Sequence, residues 1–178
     1  MNLLVISGGP NKSGNTRIVS RYLSQAYNID LFDLSEIVLP LFNGEKEQDE
    51  NKSVKLLRNA VDKTDGILLV TPEYHNAMSG ALKNAIEFLG SKHFEHKPIG
   101  LIAVCGGGKG GINALNNMRT VARSLYANVL SRQLVIDPIS IDRENKNLYD
   151  NVTSKINDLL DELFLYTKIH ITYKERIS

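Results

Sequence analysis

The chain has 178 residues, 42% hydrophobic and 23% charged, with a formal net charge of +1. That suits one compact domain, 1–178, and gives no electrostatic reason to bind nucleic acid or an anionic membrane surface. The single cysteine, Cys105, excludes an internal disulfide and a cysteine zinc cluster. No apolar stretch approaches the ~20 residues of a membrane helix. The apolar run at residues 3–6 is too short for a signal peptide, so a cytoplasmic protein is expected.

Residues 2–7 read as a first strand. Residues 16–26 read as a helix, with Ile18, Val19, Tyr22, Leu23 and Ala26 on one side. Residues 29–34 form a second strand. The charged run 44–52 reads as a solvated loop. Ser53 is then an N-cap for a helix carrying Val54, Leu57 and Val61 inward.

Residues 67–70 are an unbroken apolar run, typed for a strand buried on both faces. Pro72 is expected to stop it, because proline has no N–H to give the ladder. Gly80 starts a helix with Leu82, Ala85, Ile86 and Leu89 at i, i+3, i+4 and i+7. His93 and His96 fall on a loop and read as surface histidines, not as a metal pair. Residues 99–104 make a fourth strand. Gly110-Gly111 opens a helix with Leu115, Met118, Ala122 and Leu125 inward. Residues 129–136 are a fifth strand. Residues 149–167 are a last helix, striped by Val152, Ile156, Leu159, Leu160 and Leu163. The tail 169–178 has weak β-type alternation and no assignment.

Five strands alternating with helices, without repeats or linkers, predict a doubly wound α/β fold in three layers. The expected parallel sheet order is 2-1-3-4-5, with a topological switch between strands 1 and 3. Ligands bind outside the carboxyl ends of strands at such a switch, so the loops after strands 1, 3 and 4 should meet.

Each of those loops has binding chemistry. The first, Ser7-Gly8-Gly9-Pro10-Asn11-Lys12-Ser13-Gly14-Asn15-Thr16-Arg17, joins a strand to a helix N-terminus. Free N–H groups and the helix dipole favour an anion there, with Ser13, Asn15 and Thr16 as neutral donors and Lys12 and Arg17 as charges. Gly9 to Thr16 nearly matches the nucleotide triphosphate loop, but Asn15 stands where the lysine is required, which argues against phosphoryl transfer. The second, Pro72-Glu73-Tyr74-His75-Asn76, concentrates a carboxylate, a phenol, an imidazole and an amide at the end of a buried strand. The third, Cys105-Gly106-Gly107-Gly108-Lys109-Gly110-Gly111, satisfies G-x-G-x-x-G, yet the next strand lacks the acidic residue of a dinucleotide site. Its glycines suit close backbone approach to something flat. Cys105 reads as a buried small side chain and not as a nucleophile.

No catalytic triad, carboxylate pair or metal-ligand spacing accompanies these loops. Binding groups without chemical groups mean that a cofactor carries the reaction. It would have one phosphate and one planar ring, as FMN does.

The segments Pro72-Glu73-Tyr74-His75, Ser79-Gly80-Ala81-Leu82-Lys83-Asn84-Ala85 and Gly106-Gly107-Gly108-Lys109-Gly110-Gly111-Ile112-Asn113-Ala114-Leu115, with Met118-Arg119 behind, resemble the NADPH-dependent FMN reductase family of flavodoxin-like proteins. Within it they are most similar to bacterial azobenzene reductases, over residues 1–142. The resemblance implies a flavodoxin-like fold and an FMN-dependent NAD(P)H oxidoreductase. Such an enzyme passes hydride from NADPH through FMN to a flat azo, quinone or flavin acceptor in a ping-pong cycle. It implies that Ser13, Asn15 and Thr16, with Gly9 and Asn11 alongside, hold the FMN phosphate. Pro72, Glu73, Tyr74 and His75 would border the ring and ribityl chain. Gly106, Gly107 and Gly108 would meet the pyrimidine edge, and no catalytic side chain is expected.

Many relatives carry arginine where Asn11 stands, so Lys12 or Arg17 is left to supply that charge. Relatives dimerise, some pairing again to tetramers, through the helices after strands 3 and 4. Residues 82–89 and 115–125 are apolar enough to share such a face. The other reading is a non-catalytic flavodoxin-like FMN carrier; flavodoxins are usually strongly acidic, which this chain is not.

Overall fold

The computed structural model describes residues 1–107 and 110–177. Gly108 and Lys109, both in the third expected loop, lie outside the described residues.

The chain runs β1 (Leu3–Ser7), α1 (Asn15–Tyr27), β2 (Asp30–Asp33), a 3-10 turn (Lys46–Glu50), α2 (Lys52–Asp62), β3 (Gly66–Tyr74), β4 (Ala77–Met78), α3 (Gly80–Glu87) and α4 (Ser91–Phe94). It continues through β5 (Pro98–Val104), α5 (Ile112–Ser124), β6 (Asn128–Ile136), the short pair β7 (Ile141–Asp142) and β8 (Asn147–Leu148), and α6 (Asp150–Ile177). The main sheet has the order β2-β1-β3-β5-β6. All four of those pairings are parallel. This is the expected 2-1-3-4-5 order, with the small antiparallel β4 added beside β3.

Alternation along the strands builds two cores. Leu4, Ile6, Ile67, Leu69, Ile99 and Leu101 face α2, α3 and α5, meeting Val54, Leu57, Leu82, Leu115 and Met118. Leu3, Val5, Leu68, Val70, Ile102 and Val104 face α1 and α6, meeting Val19, Leu23, Ile156, Leu159 and Leu163. Strands buried on both faces need continuous apolar runs, which is what β1, β3 and β5 carry.

Several local expectations change. Pro72 does not end β3, which continues to Tyr74. β1 pairs with β3 only as far as Ser7 opposite Val70, so β3 has no ladder partner on that side where its N–H is missing, and Pro72 sits opposite Val104 of β5. The charged run is not a plain loop but holds the 3-10 turn, and α2 begins before Ser53. Its N-cap is Asn51, whose side chain accepts the N–H groups of Ser53 and Val54.

His96 is exposed, but His93 is buried in α4, accepting the Gly90 N–H on Nδ1 at 2.9 Å. Burial lowers its basicity. The tail is not β-like: α6 runs on to Ile177. Its last turns still have a surface to cover, since His170 is buried and Tyr173 meets the His96 ring edge-on with centroids 5.5 Å apart.

The apolar residues expected to face a second copy, Leu82, Ala85, Ile86, Leu89, Leu115, Met118 and Ala122, are buried in this chain's own core. α5 instead turns Asn113, Asn116, Thr120 and Arg123 outward. No helix among the described residues is long and apolar enough to cross a membrane.

Candidate functional site

The carboxyl ends of β1, β3 and β5 bring three loops to one cleft of about 250 Å³. Its walls include Gly9, Asn11, Ser13, Asn15 and Thr16 from the first loop, Pro72, Glu73 and Tyr74 from β3, and Gly106 after β5. His75 and Gly107 stand outside its lining. His75 is in the β3–β4 turn, and Gly107 is exposed beside Gly106.

The first loop is built to receive an anion. Gly14 precedes α1 without any side-chain cap, and the first turn of α1 contains no acidic residue. The leading N–H groups of the helix are therefore left for an outside acceptor. The Asn11 carbonyl accepts the Gly14 N–H at 3.0 Å and its side chain accepts the Ser13 N–H at 2.9 Å, which folds the loop into a tight turn. Asn15 Oδ1 is buried with no partner among the described residues. Gly9 lies so close to Thr16 that a Cβ on it would stand 2.8 Å from Thr16 Cβ.

Ser79 locks this loop to the second. Its hydroxyl donates to the Gly8 carbonyl and accepts the Leu82 N–H, the latter at 3.0 Å, capping α3. Gly8 donates to the Val70 carbonyl at 2.7 Å. Thr71 Oγ1 accepts the Ser79 N–H at 3.0 Å.

The second loop is a tight β-hairpin. Glu73 pairs with Met78 and Tyr74 with Ala77, leaving His75 and Asn76 as the turn. Both have positive φ, 50° and 65°. Two left-handed residues in a two-residue connection make a type I′ turn, whose twist matches that of the strands. Tyr74 is left 46% exposed at the cleft, a free aromatic face.

Glu73 lines the cleft and has a second task besides. Its Oε2 accepts the Ala114 N–H at 2.8 Å. α5 has no side-chain cap of its own at Gly111, so Glu73 caps it from another strand. A Cβ on Gly110 would come within 2.8 Å of Glu73 Oε1. Gly106 and Gly107 face open space, where an added Cβ would meet nothing within 4 Å. Cys105 is 3% exposed, and burial pushes its thiol up in pKa, as expected of a packing residue.

Neither of the charges expected to compensate for Asn11 stands in the cleft lining. Arg17 is committed to Asp33, with Nε to Oδ2 at 3.0 Å, and to Glu36. Burial offsets only part of what Asp33 does to raise its pKa. Neither Lys12 nor Arg17 lines the cleft. Arg143 does, and its Nη2 donates to the Ser13 carbonyl at 3.3 Å.

Arg143 lies in the turn between β7 and β8, beyond the segment whose motifs could be read. Its signal in sequence was only a polar run, 142–147, between the apolar residues Ile141 and Leu148.

An uncapped helix start and a guanidinium fit a phosphate monoester. A free aromatic face and an open glycine edge fit a flat ring. The residues present thus match FMN, and among the described residues no group of His, Cys, Asp and Glu could hold a metal.

Comparison with known proteins agrees. The model of a family described as NADPH-dependent FMN reductase matches residues 1–140. The chain is 44% identical over 178 residues to an NADPH azoreductase of Bacillus sp. (strain OY1-2), covering 100% of this chain and 99% of that one. It is 34% identical over 146 residues to an FMN-dependent NADPH-azoreductase of Staphylococcus aureus (strain USA300), covering 75% and 76%. In fold it is similar to FerB, a flavoenzyme NAD(P)H:(acceptor) oxidoreductase from Paracoccus denitrificans. That match has a TM-score of 0.71 and 19% identity, with 96% of this chain and 97% of that one covered.

Proposed function

The chain belongs to the NADPH-dependent FMN reductase family, and on that premise we propose how its three loops divide the work. It is an FMN-dependent NAD(P)H oxidoreductase acting on a small-molecule acceptor. When bound, FMN supplies the two-electron chemistry that connects NADPH to the acceptor.

The protein's part is to hold and orient. Ser13, Asn15 and Thr16 take the phosphate at the start of α1, with Gly9 and Asn11 alongside and Arg143 adding the positive charge. Pro72, Glu73, Tyr74 and His75 border the ring and ribityl chain. Gly106 and Gly107 meet the pyrimidine edge. The observation that carries this reading is that Ser13, Tyr74 and Gly106, distant in sequence, wall one cleft.

Among the described residues of the cleft we assign no side chain the part of acid or base. Glu73 is committed to α5, and burial favours the neutral Cys105 thiol. Positioning is therefore the catalytic contribution of the chain. Donor and acceptor use one open side in turn, which gives ping-pong kinetics. Azo dyes, quinones and free flavin are flat enough to serve as acceptors.

The protein works in the cytoplasm as a homodimer, or as two such dimers paired. In support, Ile112 at the head of α5, Tyr126 beyond its end, and Val38 and Leu41 on the segment tied to α3 by Asn84 leave apolar surface exposed.

The test is anaerobic mixing of the FMN-loaded protein with NADPH. Rapid bleaching of the flavin band followed by recolouring with an azo dye or quinone is expected. No bleaching would mean a flavodoxin-like electron carrier. Failure of the purified protein to bind FMN at all would overturn the site.

A further inference from the structure

A second hollow, about 500 Å³, lies between α1 and the β7–β8 turn, outside the FMN cleft. Ser13 and Arg143 line both, so the two share a wall. The other side chains that matter here are Lys12, Arg17, Arg21 and Lys146.

Asp33 and Glu36 pair with Arg17, and Glu36 also with Arg21 at 2.9 Å. Lys12, Arg143 and Lys146 meet no carboxylate among the described residues. Three of the five cations that line this groove are thus left without a carboxylate partner. Asp142 belongs to the same turn. Its carboxylate accepts the N–H groups of Glu144 and Asn145 and the Asn145 amide, which holds the turn carrying Arg143 and Lys146 in shape. Those bonds also keep the Asp142 carboxyl below its ordinary range.

FMN has one phosphate, and the first loop with Arg143 accounts for it. Lys12 and Lys146 remain without an anionic partner among the described residues, and the groove opens beside the cleft in which the nicotinamide donor must sit. NADPH brings one more dianion than NADH, the phosphate on its adenosine ribose. We propose that this groove receives the 2′-phosphate of NADPH, with Arg21 and Lys146 as its ligands, and so sets the preference for NADPH over NADH.

Arginine forks and lysine ammonium groups are the side chains suited to a phosphate. A positive groove also raises the local concentration of an anionic donor. The proposal rests on the FMN reading, because that reading puts the donor's other end at the cleft.

The test uses FMN-loaded protein carrying Arg21→Gln, Lys146→Gln, or both. The ratio of kcat/KM for NADPH to that for NADH should fall about tenfold for each lost charge-assisted bond. FMN content, read by absorbance, should stay at the wild-type level. Adenosine 2′,5′-bisphosphate should inhibit the wild type better than 5′-AMP, and that difference should vanish in the double variant. In the wild type, added salt should raise KM for NADPH more than KM for NADH.

An unchanged ratio, or an equal fall with both donors, overturns the proposal. So does an unchanged ratio accompanied by a higher KM for a sulfonated dye, which would assign the groove to the acceptor. Failure of the FMN reading would look different, since the wild type itself would then not retain flavin.

Discussion

Glu73 and Ala114 are 41 residues apart, yet the Glu73 carboxylate accepts the Ala114 N–H at 2.8 Å and so caps α5 from β3. One side chain ties the hairpin to the helix behind the glycine loop. Glu73→Ala should cost about 1 kcal/mol of stability, the usual value of an N-cap. It should also weaken FMN binding, because two walls of the cleft lose their tether. Glu73→Gln keeps an acceptor and should recover most of both, short of the ~0.3–1 kcal/mol that a negative charge contributes at a helix start. Urea unfolding and FMN titration of the apoprotein measure the two effects. An Ala variant with wild-type values in both would refute the tether.

Asn15 offers a neutral amide at the uncapped start of α1. Asn15→Asp is nearly isosteric and sets a negative charge against a phosphate. FMN affinity should fall by about 1–3 kcal/mol, the scale of a charge-assisted hydrogen bond. Calorimetric titration of FMN into the apoprotein reads this directly. Unchanged affinity would mean that the phosphate binds elsewhere.

Gly8 is pressed between the first loop and α3. A Cβ there would lie 2.8 Å from Leu82 Cβ and 3.1 Å from the Val70 carbonyl. Leu82 is fully buried, so neither neighbour can step aside cheaply. Gly8→Ala should destabilise the fold by about 1–3 kcal/mol through overpacking. A urea midpoint equal to that of the wild type would show that the contact is looser than the geometry says.

Lys97 is buried, with Nζ donating to the Val61 carbonyl at 2.5 Å. Burial is the main influence and brings its pKa from 10.5 down to about 8. Below pH 8 the ammonium is charged in both folded and unfolded chains, and its burial opposes folding in full. Between pH 8 and 10.5 the folded chain has released the proton while the unfolded chain still holds it, so this opposition fades as pH rises. Lys97→Met should therefore be more stable than wild type at pH 7, with the gap narrowing at pH 9.5. Urea unfolding at the two pH values checks it, and a gap that is constant or widens would contradict the burial argument.

What could be read in the sequence was whatever local chemistry dictates. β1, β3 and β5 each carry an unbroken apolar run because both their faces are covered there, and such runs are visible without neighbours. The order of the sheet followed from crossover handedness, and the meeting of the three loops followed from the order. What escaped depends on partners. Pro72 can stay in a strand because β1 ends first, a fact about register and not about proline. His93 differs from His96 only in what packs on it. The tail's helix is held by the sheet edge it covers. Arg143 reaches the first loop from a turn with no periodicity of its own. The capping task of Glu73 was also hidden, since nothing in its neighbours along the chain announces a cap for a helix begun 39 residues later at Ile112.

The Ser79 hydroxyl donates a hydrogen bond to the Gly8 carbonyl while accepting one from the Leu82 N–H, so the floor under the phosphate loop and the first turn of α3 share an oxygen atom. Neither can tilt unless the other unwinds. The nucleotide's seat is consequently set before any guest arrives. Loading should then be a docking event with little rearrangement, and amide exchange in Gly8 and Leu82 should be slow already in the flavin-free protein.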